Sequence, residues 1–418
     1  MTGREAMRWG LKLEMEKNAS MLFIDPSSEV YINIPNISLA YAATHFKTRV
    51  IDQHILPYPR DRFLRHSADV LGISVRSFAL EEAKRIADIY TAKYPSSEIK
   101  SVSTSVDVQC CYPFLDFDKK IVFDKPFSDE YPFPDYELFD SFNYLSTNWQ
   151  TGLWNYSIMT SVGCPYQCTF CACRSRKWHA RSAKNSAEEL KLAQREYNIV
   201  SFEIIDDAFN VDKDRVLEFC GLVKPLKLRW LCSNGLRADR FDEESACAMA
   251  SAGCDTVGFG IESTDDEVLA LVKKGETIGQ MEQAVEIAKK YFKEVKGYFI
   301  LGLPGSNYEK DIASIEWARK QGVKPVVSYY VPVSQPDKIF YGEKASASTL
   351  AYPEERQKEI YRYSKKITRG WYYRQGVPAK IMKATFLSIF KYNLNSLLTH
   401  FIIGPKRFLS ILFKGEVQ

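Results

Sequence analysis

Six short apolar segments recur at helix-length intervals across residues 155–331: NYSIMTSV, IVSFEIID, KLRWLCSN, CDTVGFGIE, EVKGYFIL and PVVSYYV. They are rich in β-branched and aromatic residues, and the intervals between them read as helical, a pattern that predicts parallel strands joined by crossover helices. Six such units in about 180 residues specify a partial (β/α)6 TIM-type barrel, because a closed eight-unit barrel typically needs about 250. Residues 151–342 are assigned to it. Ligands of parallel α/β sheets gather beyond the carboxyl ends of the strands, so functional residues are sought there.

A second alternation precedes the first. MLFIDP at 21–26, the helix ISLAYAATHF, RVIDQHI, VLGISV at 70–75 and the helix FALEEAKRIADIYTAKYP predict a short doubly wound, Rossmann-like sheet over 1–125. The run DKPFSDEYPFPDYELFD at 124–140 has neither periodicity and reads as a linker, placed at 126–150. Beyond Gly342 the pattern is helical, giving a C-terminal helical domain at 343–418.

Composition narrows the class. A 418-residue chain with 45% hydrophobic and 26% charged residues has material for two or three ordinary globular cores. No apolar run reaches the roughly 18–20 residues of a membrane span, and the first twenty residues alternate charge with Leu and Met instead of forming a signal-peptide core. The expectation is a cytoplasmic protein. Charge is unevenly placed: Arg356 to Lys414 holds thirteen Lys or Arg against one acid, Glu359. Such a segment suits either a solvated helical cap or a surface that docks membrane headgroups or nucleic acid.

The ten cysteines are too many to ignore and, in a cytosolic chain, are expected as metal ligands, thiols or core residues. GCPYQCTFCACRS puts Cys164, Cys168 and Cys171 on one loop just after the first barrel strand. Three thiolates so spaced can hold three irons of a cubane cluster, leaving the fourth iron open unless Cys173 or a distant residue supplies a ligand. A structural zinc site would want a fourth Cys or His in paired spacing, and none follows. Cys220, Cys232, Cys247 and Cys254 lie singly in predicted elements, where a buried thiol is ordinary.

With its CxxxCxxC motif and an aromatic, Phe170, before the third Cys, the chain resembles the radical S-adenosylmethionine (SAM) superfamily. FEIIDDAF at 202–209, RWLCSNGLRAD at 229–239, AGCDTVGFGIES at 252–263, KKGET at 273–277 and GYFILGLPG at 297–305 extend the resemblance to the subgroup with an N-terminal cobalamin-binding domain. It implies that Cys164, Cys168 and Cys171 bind a [4Fe-4S] cluster whose unique iron is chelated by SAM, and that Phe170 lies against the adenine. Asp206, Ser233, Asn234, Arg237, Glu262 and Ser263, at later strand ends, are the implied SAM contacts. Asp206 and Asp207 also have the ordinary alternative of capping the following helix. Reductive cleavage of SAM to a 5'-deoxyadenosyl radical, fed by a flavodoxin- or ferredoxin-type electron donor, is the implied chemistry. A dry interior lined by Phe259, Tyr298 and Tyr330 would protect the radical.

LFIDP, SLAYAA, VID and VLGISV resemble the family's cobalamin-binding domain, but the fourth strand usually ends in a Gly-Gly loop followed by a further strand and helix. Here EIKSVSTSVDVQCCYPFLDF runs almost directly into the linker, and its Ser and Thr side chains would obstruct a corrin that Gly-Gly admits. The sheet therefore reads as one unit short, an argument against cobalamin. His54 is read as structural, since Pro57 stands where a lower-ligand motif needs Gly. The tail's longest uncharged run, Tyr392 to Pro405, suits an interfacial helix at the inner face of the membrane, or helices that close the open side of the barrel. The expected function is hydrogen abstraction from a small-molecule or lipid-like substrate. Cobalamin-dependent C-methyl transfer is the first alternative, and a non-catalytic Fe-S or zinc module binding nucleic acid the second, although nucleic acid is not an expected partner.

Overall fold

The computed structural model describes residues 20–27, 35–53, 61–75, 79–104, 120–123, 126–139, 147–148, 153–174, 176–330 and 352–374. The chain divides into two compact units, Met1–Pro126 with Glu130–Phe142 and Phe127–Asp129 with Asn143–Gln418. His54 and residues 375–418 of the basic tail lie outside the described residues.

In the first unit, β1 (Met21–Asp25), β2 (Arg49–Asp52), β3 (Val70–Ser74), β4 (Glu98–Thr104) and β5 (Lys120–Phe123) form one parallel sheet in the order β2-β1-β3-β4-β5. This is one of the common doubly wound orders. Helix α1 (Ile37–Phe46) starts at Asn36, whose side chain accepts from the Leu39 amide, and ends at Lys47 in the left-handed region. Helix α2 (Leu80–Lys93) packs Ala83, Ile86 and Tyr90 against Leu71, Ile73 and Phe63. Strand β5 is KIVF, a segment passed over in the sequence because four residues beside an aromatic-rich run carry little periodicity. Nor does the linker reading hold over 130–139: Tyr131 packs edge-on against Tyr41 at 4.9 Å, and Tyr136 and Phe139 are buried.

The second unit carries the expected six parallel strands: β7 (Leu153–Ile158), β10 (Ser201–Ile204), β11 (Arg229–Leu236), β12 (Cys254–Glu262), β13 (Glu294–Leu301) and β14 (Lys324–Tyr329). They lie side by side in chain order, with β6 (Thr147–Asn148) antiparallel on the β7 edge. The described sheet is open, with β14 and β6 at its edges. The predicted first strand, NYSIMTSV, is two: after β7 the chain turns into β8 (Ser161–Cys164), which pairs antiparallel with β9 (Arg176–Ala180). That hairpin was invisible to periodicity because the cysteine loop interrupts it.

Helices α3 (Ala183–Tyr197), α4 (Lys213–Val223), α5 (Glu243–Ser251), α6 (Asp266–Leu271), α7 (Ile278–Tyr291) and α8 (Tyr308–Gln321) are N-capped by Ser182, Asp212, Asp242, Asp265, Thr277 and Asn307. A short polar side chain at each helix start satisfies amides that the helix itself cannot. Helix α9 (Glu354–Arg374) packs on the edge strand, with Tyr361 against Tyr329 at 5.9 Å and the Thr368 hydroxyl donating to the Pro325 carbonyl at 3.2 Å. Among the described residues no helix is long and apolar enough to cross a membrane.

The helix-facing side of the sheet is the aromatic core. Trp230 stacks on Phe202 at 5.4 Å and meets Phe209 and Phe219 edge-on. Phe259, expected in the interior, instead packs against Phe241 at 5.0 Å on this outer side. Its neighbours Gly258 and Gly260 share the inner face with Lys296 and Tyr298, their register partners on β13. Replacing Trp230 with Ala is expected to destabilise the second unit by about 3–5 kcal/mol, read as a lower denaturation midpoint of its helical circular dichroism.

Candidate functional site

The cysteine loop, described over 165–174, lies between β8 and β9 and has no regular structure there. Two adjacent carboxylates after β10 fasten it. Asp206 accepts from the Thr160 amide and hydroxyl, both at 2.6 Å, and from the Ser161 hydroxyl at 2.7 Å. Arg215 donates to the Thr160 carbonyl at 2.8 Å. Asp206 is fully buried, and burial pushes its carboxyl pKa up against the opposing charge of Arg215. Both oxygens of Asp206, expected as a SAM contact, are engaged by the turn between β7 and β8. Asp207 accepts from the Gly163 amide at 2.7 Å and from Cys173 Sγ at 3.2 Å, and neither aspartate caps a helix. Gly163 has φ +84°, and a Cβ there would stand 2.2 Å from the Lys177 carbonyl oxygen, so the hairpin requires glycine.

On the far side the loop is pinned to the turn after α6. The Thr169 amide donates to the Val272 carbonyl at 2.9 Å, and Cys168 Sγ lies 3.9 Å from the Lys274 carbonyl. Cys168 is buried, while Cys164, Cys171 and Cys173 are half-buried. Burial raises the thiols of Cys164 and Cys168, whereas hydrogen bonding from Cys173 lowers Cys171 to about 7. The three motif thiols lie within one another's electrostatic reach. Yet among the described residues no three His, Cys, Asp or Glu side chains converge as a site for one metal ion. Three thiols on one loop suit a cluster in which each thiolate takes its own iron. Cys247, expected to be buried, is exposed.

Beside the loop is a buried charge network. Arg237 lies 3.6 Å from the centroid of the Tyr166 ring, bonds Asp239 at 2.8 Å, and donates to the carbonyls of Lys274 and Gly275 at 3.1 and 3.2 Å. Lys274 Nζ stands 3.2 Å from Glu276 and 3.6 Å from Glu262. Glu276 also accepts from the Ala238 amide at 2.6 Å. Burial raises the Glu262 carboxyl, and Lys274 opposes it. Glu262 has φ +64°, a strained conformation for a residue with a side chain. The Ser263 hydroxyl accepts from the Asp265 amide at 3.2 Å. Phe170 packs against Val268, Val272 and Leu303 with Ile300 and Tyr330, an apolar patch suited to a flat base.

Asn234 is exposed at the end of β11, and Ser233 is buried with its hydroxyl accepting from Lys296 at 3.1 Å. Of the expected residues, the structure gathers Arg237 and Glu262 around the KKGET turn, against which Cys168 rests, and commits Asp206 and Ser263 to backbone support. Lys274, Glu276 and Tyr166 were not singled out in the sequence. Two of them lay in KKGET, where charged residues next to a glycine read as an exposed turn.

The carboxyl edge of the first sheet has its own polar cluster. Asn36 donates to Ser74 at 2.8 Å and Asp25 at 3.3 Å, and the Ser38 and Thr104 hydroxyls meet at 2.8 Å. This edge lies where the strand order reverses about β1, the usual ligand crevice of such sheets.

Residues 158–318 match the radical SAM superfamily model. The chain carries a radical SAM domain. Over 197 residues, 46% of this chain and 42% of the relative, it is 36% identical to an uncharacterized methyltransferase of Pyrococcus horikoshii. Over 175 residues, 40% of this chain and 33% of the relative, it is 32% identical to cytidylyl-2-hydroxyethylphosphonate methyltransferase of Streptomyces wedmorensis. The chain spans less than half the length of these two relatives. Its fold is similar to that of TsrM, a radical SAM methyltransferase of Kitasatospora setae, with a TM-score of 0.61 at 14% identity over 75% of this chain and 73% of that one. It is also similar to OxsB, solved with aqua-cobalamin and SAM bound, with a TM-score of 0.59 at 15% identity over 86% and 66%.

Ala at Cys164, Cys168 or Cys171 is expected to abolish iron retention after anaerobic reconstitution, whereas Cys173→Ala keeps it; iron and sulfide analysis checks both. Glu276→Ala leaves Lys274 and Arg237 without their shared buried partner and is expected to cost about 3–5 kcal/mol in urea unfolding.

Proposed function

We propose that this chain is a cobalamin-dependent radical SAM methyltransferase, in place of the hydrogen-abstracting enzyme that a short first sheet favoured. The observation that carries the reading is β5. With it the first sheet has five parallel strands in a doubly wound order, so the premise that the sheet is one unit short no longer stands. Two methyltransferases among the relatives, at 36% and 32% identity, support the same reaction class.

In this reading Cys164, Cys168 and Cys171 hold a [4Fe-4S] cluster, and the Asp206 and Asp207 contacts fix the loop that presents it. Arg237, Glu262 and Lys274 supply paired charge for the amino acid end of SAM, while the Phe170 patch receives its adenine. Asn36 and Ser74 offer hydrogen bonds to a corrin at the edge of the first sheet. When bound, the cluster and SAM supply one-electron chemistry, and the corrin supplies a transferable methyl group. Gly258 and Gly260 let the Ser233 carbonyl, the Tyr298 ring and the Glu262 and Lys274 side chains approach β12 closely, and Tyr298, its phenol pushed up to about 12 by burial, stays protonated on the inner face.

The test is product analysis of the reconstituted chain with SAM and a reductant, with and without hydroxocobalamin. S-adenosylhomocysteine that forms only with cobalamin is the expected result. Deoxyadenosine alone, indifferent to cobalamin, would return the reading to hydrogen abstraction.

A further inference from the structure

We propose that Asp311 and Tyr352 are positioning residues for SAM: together they fix the turn at 302–306, whose Leu303 helps to form the apolar wall assigned to the adenine. The inference rests on that assignment under the function proposed above, and on a set of hydrogen bonds for the rest.

Asp311, in the first turns of α8, is 2% exposed, and its carboxylate accepts three hydrogen bonds. Two come from the turn that follows β13. The Gly302 amide donates to Oδ2 at 2.7 Å, and the Ser306 hydroxyl donates to Oδ1 at 2.5 Å. The turn is closed by the Ser306 amide, which donates to the Leu303 carbonyl at 2.9 Å. Between these anchors Leu303 is fully buried in one cluster with Val268 and Val272, against which Phe170 packs. Asp311 therefore reaches the Phe170 patch through the backbone of Gly302 and the side chain of Ser306.

The third donor is remote in sequence. The Tyr352 hydroxyl, from just before α9, donates to Oδ2 of Asp311 at 2.5 Å. Its ring meets Tyr308 edge-on at 6.2 Å, Arg356 lies over the Tyr308 ring at 4.5 Å, and the Gln357 side-chain amide donates to the Tyr352 carbonyl at 3.1 Å. Burial pushes the Asp311 carboxyl pKa up, and the bonds from Ser306, Tyr352 and Gly302 oppose that rise. Among the described residues no cation pairs with Asp311, so hydrogen bonds carry its charge and each donor lost leaves it less compensated. The segment that leads into α9 thus shares one buried acceptor with the wall of the site, and loosening either end frees Leu303 to shift.

SAM and free methionine separate the two ends of the cofactor, because methionine carries the amino acid end and lacks the adenine. The full reconstituted chain is titrated with SAM by calorimetry and with methionine by the electron paramagnetic resonance of its reduced cluster. Asp311→Asn is expected to weaken SAM binding about tenfold and Tyr352→Phe about threefold, with methionine affinity, iron content and circular dichroism unchanged. The double variant should lose little more than Asp311→Asn alone, since Tyr352 acts through Asp311. Tyr352→Phe keeps the ring against Tyr308, so it decides the matter if Asp311→Asn does not fold. SAM affinity equal to wild type in both variants, additive losses in the double variant, or parallel losses of SAM and methionine would each overturn the inference. A cluster-bearing wild type that binds no SAM would overturn the functional reading, and the inference with it.

Discussion

The CxxxCxxC motif lies on a loop without regular structure, and the paired carboxylates of Asp206 and Asp207 hold the start of that loop in place. One takes the turn before β8 and the other takes the amide of Gly163 within it. Both come from the end of β10, so the first and second strands of the barrel jointly set where Cys164 begins. Asp206 accepts three hydrogen bonds at 2.6–2.7 Å. The same carboxylate is buried, so every one of its bonds also meets a desolvation cost that would otherwise stand uncompensated.

Around the KKGET turn, Arg237, Lys274, Glu262 and Glu276 neutralise one another and grip backbone carbonyls and amides beside the cysteine loop. Glu262 belongs to this network yet holds a positive φ, the strain that surrounding contacts must over-determine if it is to persist.

Much of the second unit was legible because its signals are periodic. Apolar runs such as CDTVGFGIE and EVKGYFIL became β12 and β13. What the sequence concealed lacked a period. KIVF is too short to show alternation, and β8 and β9 are separated by the cysteine loop itself. The inward or outward direction of Phe259 depends on register, and a single residue's offset reverses it. The site was half legible: CxxxCxxC announces its own chemistry, but Asp206 looks the same in sequence whether it faces a cofactor or a turn. Buried charge, as at Lys274 and Glu276, is ordinary polar sequence until the fold encloses it.

The account turns on whether the first sheet, complete in its five strands, still holds a corrin. Visible absorption of the full chain, incubated with hydroxocobalamin and freed of unbound ligand by gel filtration, asks this directly. The account predicts a corrin band in stoichiometric amount with the protein. Protein that elutes without the band, while its iron-sulfur absorption is intact, would contradict it.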